Sequence, residues 1–222
     1  MTFSILAQDA DGSFGAAIAS SSPAVAARCL TLQDGIGAVS SQNITDPRLG
    51  PKIVELMTSG LSAPAAVNQI VLTDPTARYR QILAIDGQGE TGIHSGADSL
   101  GRYSSARGPS IVGAGNLLSS DTVPQAMVDA FTTSEGGLEE RLLAALVGAV
   151  AAGGEEGPIH SAGLSVVSNV GWRVTDLRID WDDEPVQRLG ALLAIWLPQR
   201  DDYVSRALAP HTAPAYGVLG DE

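Results

Sequence analysis

Two periods of hydrophobic patterning alternate along this 222-residue chain. Thr2 to Ala7 mixes apolar and hydroxyl residues, Asp9-Ala10-Asp11-Gly12 is a turn signal, and Phe14 to Ser20 resumes an apolar run of small residues. Together they predict an N-terminal hairpin. Gly35 to Gln42 reads as another strand, with glycines that permit close approach of a second layer. The period then lengthens. Ile53, Val54, Leu56 and Met57 share one helical face and Gly60 ends the run, while Ser62 and Pro64 open a second helix through Ala66, Val67, Ile70 and Val71. Tyr79 to Asp86 and Thr91 to Ser95 predict a hairpin around Asp86-Gly87-Gln88-Gly89.

The same order repeats further on. Thr122-Val-Pro-Gln125 has the form of a capping box for a helix carrying Ala126, Met127, Ala130 and Phe131. Leu138 to Ala152 is a strongly apolar helix, and the glycine-rich Gly153 to Pro158 separates it from two strands, Ser161–Ser168 and Trp172–Asp180. A last helix is expected from Pro185 to Leu197, followed by a less regular Ala/Pro-rich tail. Hairpins outnumber single strand–helix alternations. The pattern therefore predicts an α+β domain spanning residues 1–222, with antiparallel sheets covered by helix pairs, instead of a doubly wound parallel sheet.

Composition narrows the partners. With 13 Lys+Arg against 25 Asp+Glu the net charge is −12, which argues against nucleic acid, since phosphate binding needs clustered cations. One cysteine, Cys29, rules out an internal disulfide, and the scattered His94, His160 and His211 lack metal-ligand spacing, so neither metal nor cofactor is expected. The longest apolar run, Leu142 to Ala152, is too short to span a bilayer, and MTFSILAQD shows no basic or apolar leader region. These features predict a cytoplasmic protein without membrane or nucleic-acid partners; the expectation of a small-molecule substrate or ligand comes from the N-terminus and the resemblance described below. There is no P-loop, dinucleotide fingerprint, H-E-x-x-H or G-x-S-x-G.

The chemistry-bearing feature is the N-terminus. Removal of Met1 gives Thr2 a hydroxyl and a free α-amine on one residue at the start of a strand, the minimal kit for a nucleophile that carries its own base. Ser4 shares its face of the strand, because side chains alternate. Gln42 and Asn116 are candidate oxyanion donors, with Asn43 beside them at the strand end and Asn116 after a glycine-rich turn. Arg80 starts a strand, where it either meets a substrate carboxylate or pairs with Asp74 or Asp98. Glu156 and His160 form a possible acid–base pair, and Asp176 to Glu184 an acidic run that reads first as a solvated edge.

Several ordered blocks resemble one family. MTFSILAQD, GIGAVSSQN at 35–43, RYRQILAID at 78–86, GAGNLLSSDTVPQAM at 113–127, RLLAAL at 141–146, HSAGLSVV at 160–167 and DLRID at 176–180 are similar to the bacterial and archaeal family known as domain of unknown function 1028. The resemblance covers nearly the whole chain. It implies the four-layered αββα sandwich of the N-terminal nucleophile (Ntn) hydrolases, with Thr2 at the nucleophile position. The chain departs from that superfamily at Ser20, Ser21 and Ser22, where a proteasome-like chain carries an acidic residue, and it lacks the lysine partner; Arg28 is the nearby cation. The block that usually reads GGD-x-RG-x-QSAAL is here Gly153-Gly154-Glu155-Glu156-Gly157-Pro158-Ile159-His160-Ser161-Ala162-Gly163-Leu164, with a longer acid, a lost arginine and His160 for glutamine.

Two functions are expected from this. One is an Ntn-type amidohydrolase, with Thr2 as nucleophile, Asn116 and Gln42 or Asn43 at the oxyanion, and Ser4, Ser20, Asn43, Arg80, Glu156 and His160 near the substrate. The other is a non-catalytic ligand-binding or assembly protein on the same scaffold. Homo-oligomerisation is expected under both.

Overall fold

The computed structural model describes residues 1–220. Among them, ten strands and six α-helices build four layers. The larger sheet contains β1 (Thr2–Gln8), β2 (Phe14–Ser20), β7 (Ser104–Gly108), β8 (Ile111–Asn116), β9 (Ser161–Val167) and β10 (Arg173–Ile179), in the order β10-β9-β2-β1-β8-β7. The smaller sheet has the order β3-β4-β5-β6, from β3 (Leu30–Gln33), β4 (Gly37–Asn43), β5 (Arg80–Asp86) and β6 (Thr91–Ser95). Every pairing is antiparallel. Helices α2 (Leu49–Thr58) and α3 (Ala63–Thr73) cover the smaller sheet; α4 (Val123–Thr133), α5 (Leu138–Ala151) and α6 (Pro185–Leu208) cover the larger one. A short α1 (Val25–Cys29) contributes to the seam between the sheets.

Strand alternation assigns each residue its layer. In β1, Phe3, Ile5 and Ala7 enter the core under α4 and α5, whereas Leu6 faces the smaller sheet with Phe14, Ile18, Leu83 and Ile85. Val39, Ile82 and Ala84 turn the other way, onto α2 and α3. Burying a large side chain such as Phe3 or Phe14 contributes roughly 1.5–3 kcal/mol, and both are at most 1% exposed. Small residues set the layer spacing. A methyl at Gly15 would stand 2.5 Å from Leu142 Cδ1, and one at Gly113 2.9 Å from Met127 Cε, so the helices ride directly on the strand backbones.

The expected αββα architecture is present, with local differences. Gly113 to Asn116 is not a turn but the end of strand β8, where Gly113 answers the closeness of α4 and Gly115 that of Leu118 and Phe3. Strands β3 and β7 carry too little alternation to be read: β3 has four residues, and β7, with the sequence SSARG, buries only Ala106. Thr122 does precede α4, but its hydroxyl meets Ser120 Oγ at 2.8 Å and makes no cap bond. Helix α5 is closed instead by Glu140, which accepts the Gly137 amide at 2.8 Å. Helix α6 continues through Pro198 to Leu208, well beyond the expected end near Leu197. No helix among the described residues is long and apolar enough to cross a membrane.

Candidate functional site

At one end of the seam the apolar side chains give way to polar ones. Thr2 begins β1, and its register pairs it with Asn116, the last residue of β8. On the other side, Phe3 opposite Ala19 puts Thr2 beside Ser20, the last residue of β2. Three strand ends therefore converge, and alternation turns all three side chains towards the smaller sheet. Thr2 Oγ1 stands 3.2 Å from Ser20 Oγ, and both hydroxyls donate to the carbonyl oxygen of Met1. Ser22 donates its amide to Ser20 Oγ at 3.1 Å. Thr2 is 5% exposed and Ser20 and Asn116 are fully buried.

The smaller sheet supplies a floor of amides. Ser4 Oγ donates to Gln42 Oε1 at 2.7 Å and stands 3.1 Å from Ser40 Oγ. Gln42 Nε2 donates to Gln81 Oε1 at 2.8 Å and to the Ala114 carbonyl at 3.3 Å. Gln81 Nε2 in turn reaches Gly115 O at 3.0 Å and Ser95 Oγ at 3.1 Å, and Asn116 Nδ2 donates to Gln81 Oε1 at 3.1 Å. Gln81 is thus the hub that bolts β5 to β8. Both amide hydrogens of Gln42 are taken, so it builds the frame in this state. Asn116 Oδ1, by contrast, is buried without a partner. An orphaned buried acceptor is costly and marks where a donor belongs.

The fourth wall is Glu155. Leu118, two residues past Asn116, bridges Glu155, whose carboxylate accepts the Ser21 amide through both oxygens at 3.2 Å. Glu155 therefore spans the gap between the β2 and β8 ends, directly across the start of β1. It is 5% exposed, and burial pushes its carboxyl up to about 7, against a lowering by the ammonium at residue 1. No Lys, Arg or His among the described residues forms an ion pair with it. A carboxyl poised near neutrality in such a site is suited to proton transfer or to holding an ammonium group.

The remaining candidates from sequence lie elsewhere. Asn43 follows Gln42 and so faces the opposite side of its sheet; it adopts a left-handed φ of 71°, donates to Tyr79 O at 2.6 Å and accepts the Leu100 amide at 3.2 Å. Arg80, its cross-strand partner, lies on that same outer side and binds Ile44 O and Thr76 Oγ1, not Asp74 or Asp98. Asp98 pairs with Arg78. Glu156 is exposed, because alternation gives the inward place to its neighbour Glu155. His160 stacks on Trp181 with ring centroids 4.3 Å apart and its Nδ1 lies 3.5 Å from Asp183, so it forms no pair with Glu156. Asp176 pairs with Arg173 and Asp182 with Arg188, and no group of three or more acidic, His or Cys residues among those described is placed to hold a metal ion. Burial raises the Cys29 thiol, which makes it a poor nucleophile.

Glu155, Gln81 and Ser40 are the site residues that sequence reasoning did not select. For Gln81 a signal exists: it is polar at an inward position of a strand that is otherwise apolar on that face, and Ser40 lies two residues from Gln42 on the same inward face. Two adjacent glutamates in a glycine-rich loop carry no such signal.

Comparison with known proteins agrees with this architecture. No curated protein sequence matches the chain. A crystal structure of a Silicibacter pomeroyi protein of family DUF1028 is similar at 31% identity and a TM-score of 0.82, over 87% of this chain and 88% of that one. Anbu, an ancestral β-subunit from Yersinia bercovieri, aligns over 88% of this chain and 97% of its own, at 13% identity and a TM-score of 0.42. The family model covers residues 2–189, which takes in every strand and all the converging side chains, and the chain belongs to the family of unknown function DUF1028.

Proposed function

We propose that the protein is an Ntn-type amidohydrolase whose nucleophile is Thr2, exposed when Met1 is removed. The observation that carries this reading is the placement of Thr2 Oγ1: first residue of a central strand, aimed into a buried polar seam, and hydrogen-bonded to the carbonyl of the residue before it. A hydroxyl so placed is within reach of an acyl carbon lodged where Met1 now sits. Removing Met1 also converts the Thr2 amide nitrogen, opposite Asn116 in the strand pair, into a free amine. That amine then takes the hydroxyl proton, as the base of a Thr nucleophile does. The remaining Nδ2 hydrogen of Asn116 is the candidate donor to the oxyanion.

A second reading, a non-catalytic binding or assembly protein, is favoured by one observation. With residue 1 in place, Thr2 is almost completely covered and the Gln42 amide is saturated. Intact mass spectrometry of protein purified from its native cells separates the two. The hydrolase reading expects a chain lighter by one methionine, and Thr2→Ala then abolishes amide turnover. A mass that includes Met1 quantitatively overturns it.

A further inference from the structure

Residue 1 occupies the seam as a ligand would. Its carbonyl oxygen accepts hydrogen bonds from Thr2 Oγ1 and Ser20 Oγ. Beside this seat lies Glu155, a buried carboxylate held by the Ser21 amide next to Ser20, with no ion-paired Lys, Arg or His among the described residues. Its thioether runs to Gly157, where the first carbon of any side chain would stand 3.2 Å from Met1 Cε and 3.6 Å from Sδ. Carbonyl and side chain each have a partner, an unpaired carboxylate lies alongside, and these groups come from three separate parts of the chain.

The attachment point makes the likeness to a substrate close. The nitrogen and Oγ1 of a threonine lie on adjacent carbons, so an acyl group on one sits a five-membered ring away from the same group on the other. The methionyl group on the Thr2 nitrogen thus outlines where an acyl group on Thr2 Oγ1 would lie. We propose that the seat of residue 1 is the acyl subsite of the mature protein, and that its substrates are amides of α-amino acids bearing a free ammonium group and an unbranched apolar side chain. Glu155 holds that ammonium, Ser20 and Thr2 flank the carbonyl, and Gly157 leaves room for the side chain. This rests on the hydrolase reading and gives it a substrate class. In the reaction, Thr2 Oγ bonds to the carbonyl carbon and the C–N bond breaks; the hydroxyl proton passes through the Thr2 amine to the departing amine. Water then cleaves the ester, releasing the amino acid and restoring Thr2.

The test uses the full chain freed of Met1, its mass verified, with methionine p-nitroanilide and N-acetylmethionine p-nitroanilide as paired probes. The free-amine anilide is expected to be cleaved with kcat/KM at least a hundredfold above its acetylated twin. Glu155→Gln should collapse that ratio at least tenfold, mainly through KM, with the thermal transition retained. As a second variant, Gly157→Val should move the preference from methionine to alanine p-nitroanilide. Cleavage that is indifferent to N-acetylation leaves a Thr2 hydrolase standing and overturns the subsite. Binding is separated from turnover by calorimetry of methioninamide on Met1-free Thr2→Ala: binding that Glu155→Gln weakens tenfold supports the subsite even without hydrolysis, and no binding at millimolar ligand overturns it.

Discussion

The seam between the two sheets has two ends made from the same strands. At one end Leu6, Phe14, Ile18, Val112, Leu83 and Ile85 fill the space with hydrocarbon. At the other, Ser4, Ser20, Ser40, Gln42, Gln81 and Asn116 fill it with hydrogen bonds, and each of these six is as buried as the apolar set. The alternation and the backbone ladder are the same in both. What differs is how each end tolerates change. Hydrocarbon packing is non-directional, so a lost side chain there costs burial and cavity energy. A buried polar network is directional, so one lost member leaves several others unpaired. The apolar end holds the sheets together, and the polar end holds Thr2 in one place.

The largest effect separates these roles. Phe14→Ala removes a side chain that is 1% exposed and should destabilise by about 3–5 kcal/mol, lowering Tm by roughly 10 °C. Turnover per folded molecule, measured well below the new Tm, should be unchanged. A fall in kcat there would show that the two ends are not separable. Gln81→Leu should cost somewhat less, about 2–4 kcal/mol, because it strands Asn116 Nδ2 and Ser95 and halves the bonds of Gln42 Nε2. Unlike Phe14→Ala, it should depress kcat in the fully folded protein, since Asn116 faces Thr2 across the strand pair.

The difference between the ends also explains what could be read from sequence. The apolar end was legible, because Phe14, Ile18, Leu83 and Ile85 announce themselves by period and type. Thr2, Ser4, Ser20, Gln42 and Asn116 were legible as candidates from their places at strand starts and ends. Their convergence was not, because it depends on the β2-β1-β8 order, and β8 hides behind glycines that read as a turn. Glu155 was hidden for a different reason. Its selection over Glu156 is decided by one backbone bridge to Leu118, a contact 37 positions away that no local pattern encodes.

Glu155 gives the next prediction its sign. Its carboxyl is raised from an ordinary 4.5 to about 7, so the folded chain binds a proton there that the unfolded chain has released. The stability this contributes is complete below about pH 4.5 and is lost as the pH rises through 7. Against Glu155→Gln, which cannot titrate, the native chain should lose on the order of 3 kcal/mol between those limits. Denaturant titrations of both chains at pH 4.5, 6 and 8 check this. Parallel curves would mean that Glu155 is solvated, and the wall across Thr2 would then be open.

The smallest expected effect comes from a carboxylate outside the seam, and it calibrates the others. Asp46 lies in the loop before α2, where Arg48 bonds it through both Nε and a terminal nitrogen at 2.7–3.3 Å. Its hydrogen bond with the Arg48 guanidinium, foremost, and the Arg48 amide hold its carboxyl down at about 2. The sign is the reverse of Glu155: the folded chain has released a proton that the unfolded chain still holds, so the contribution is present above about pH 4 and disappears as the pH falls through 2. The magnitude differs as well. Arg48 is 80% exposed, so water and salt screen the pair, and Asp46→Asn should cost no more than about 1 kcal/mol at pH 7. Raising the ionic strength to 1 M should erase most of that difference, because the Debye length there is about 3 Å, while leaving the contrast between Glu155 and its glutamine variant largely intact. If salt erased both equally, Glu155 would be as solvent-screened as Asp46, and its facing an ammonium in a closed seat would lose its physical basis.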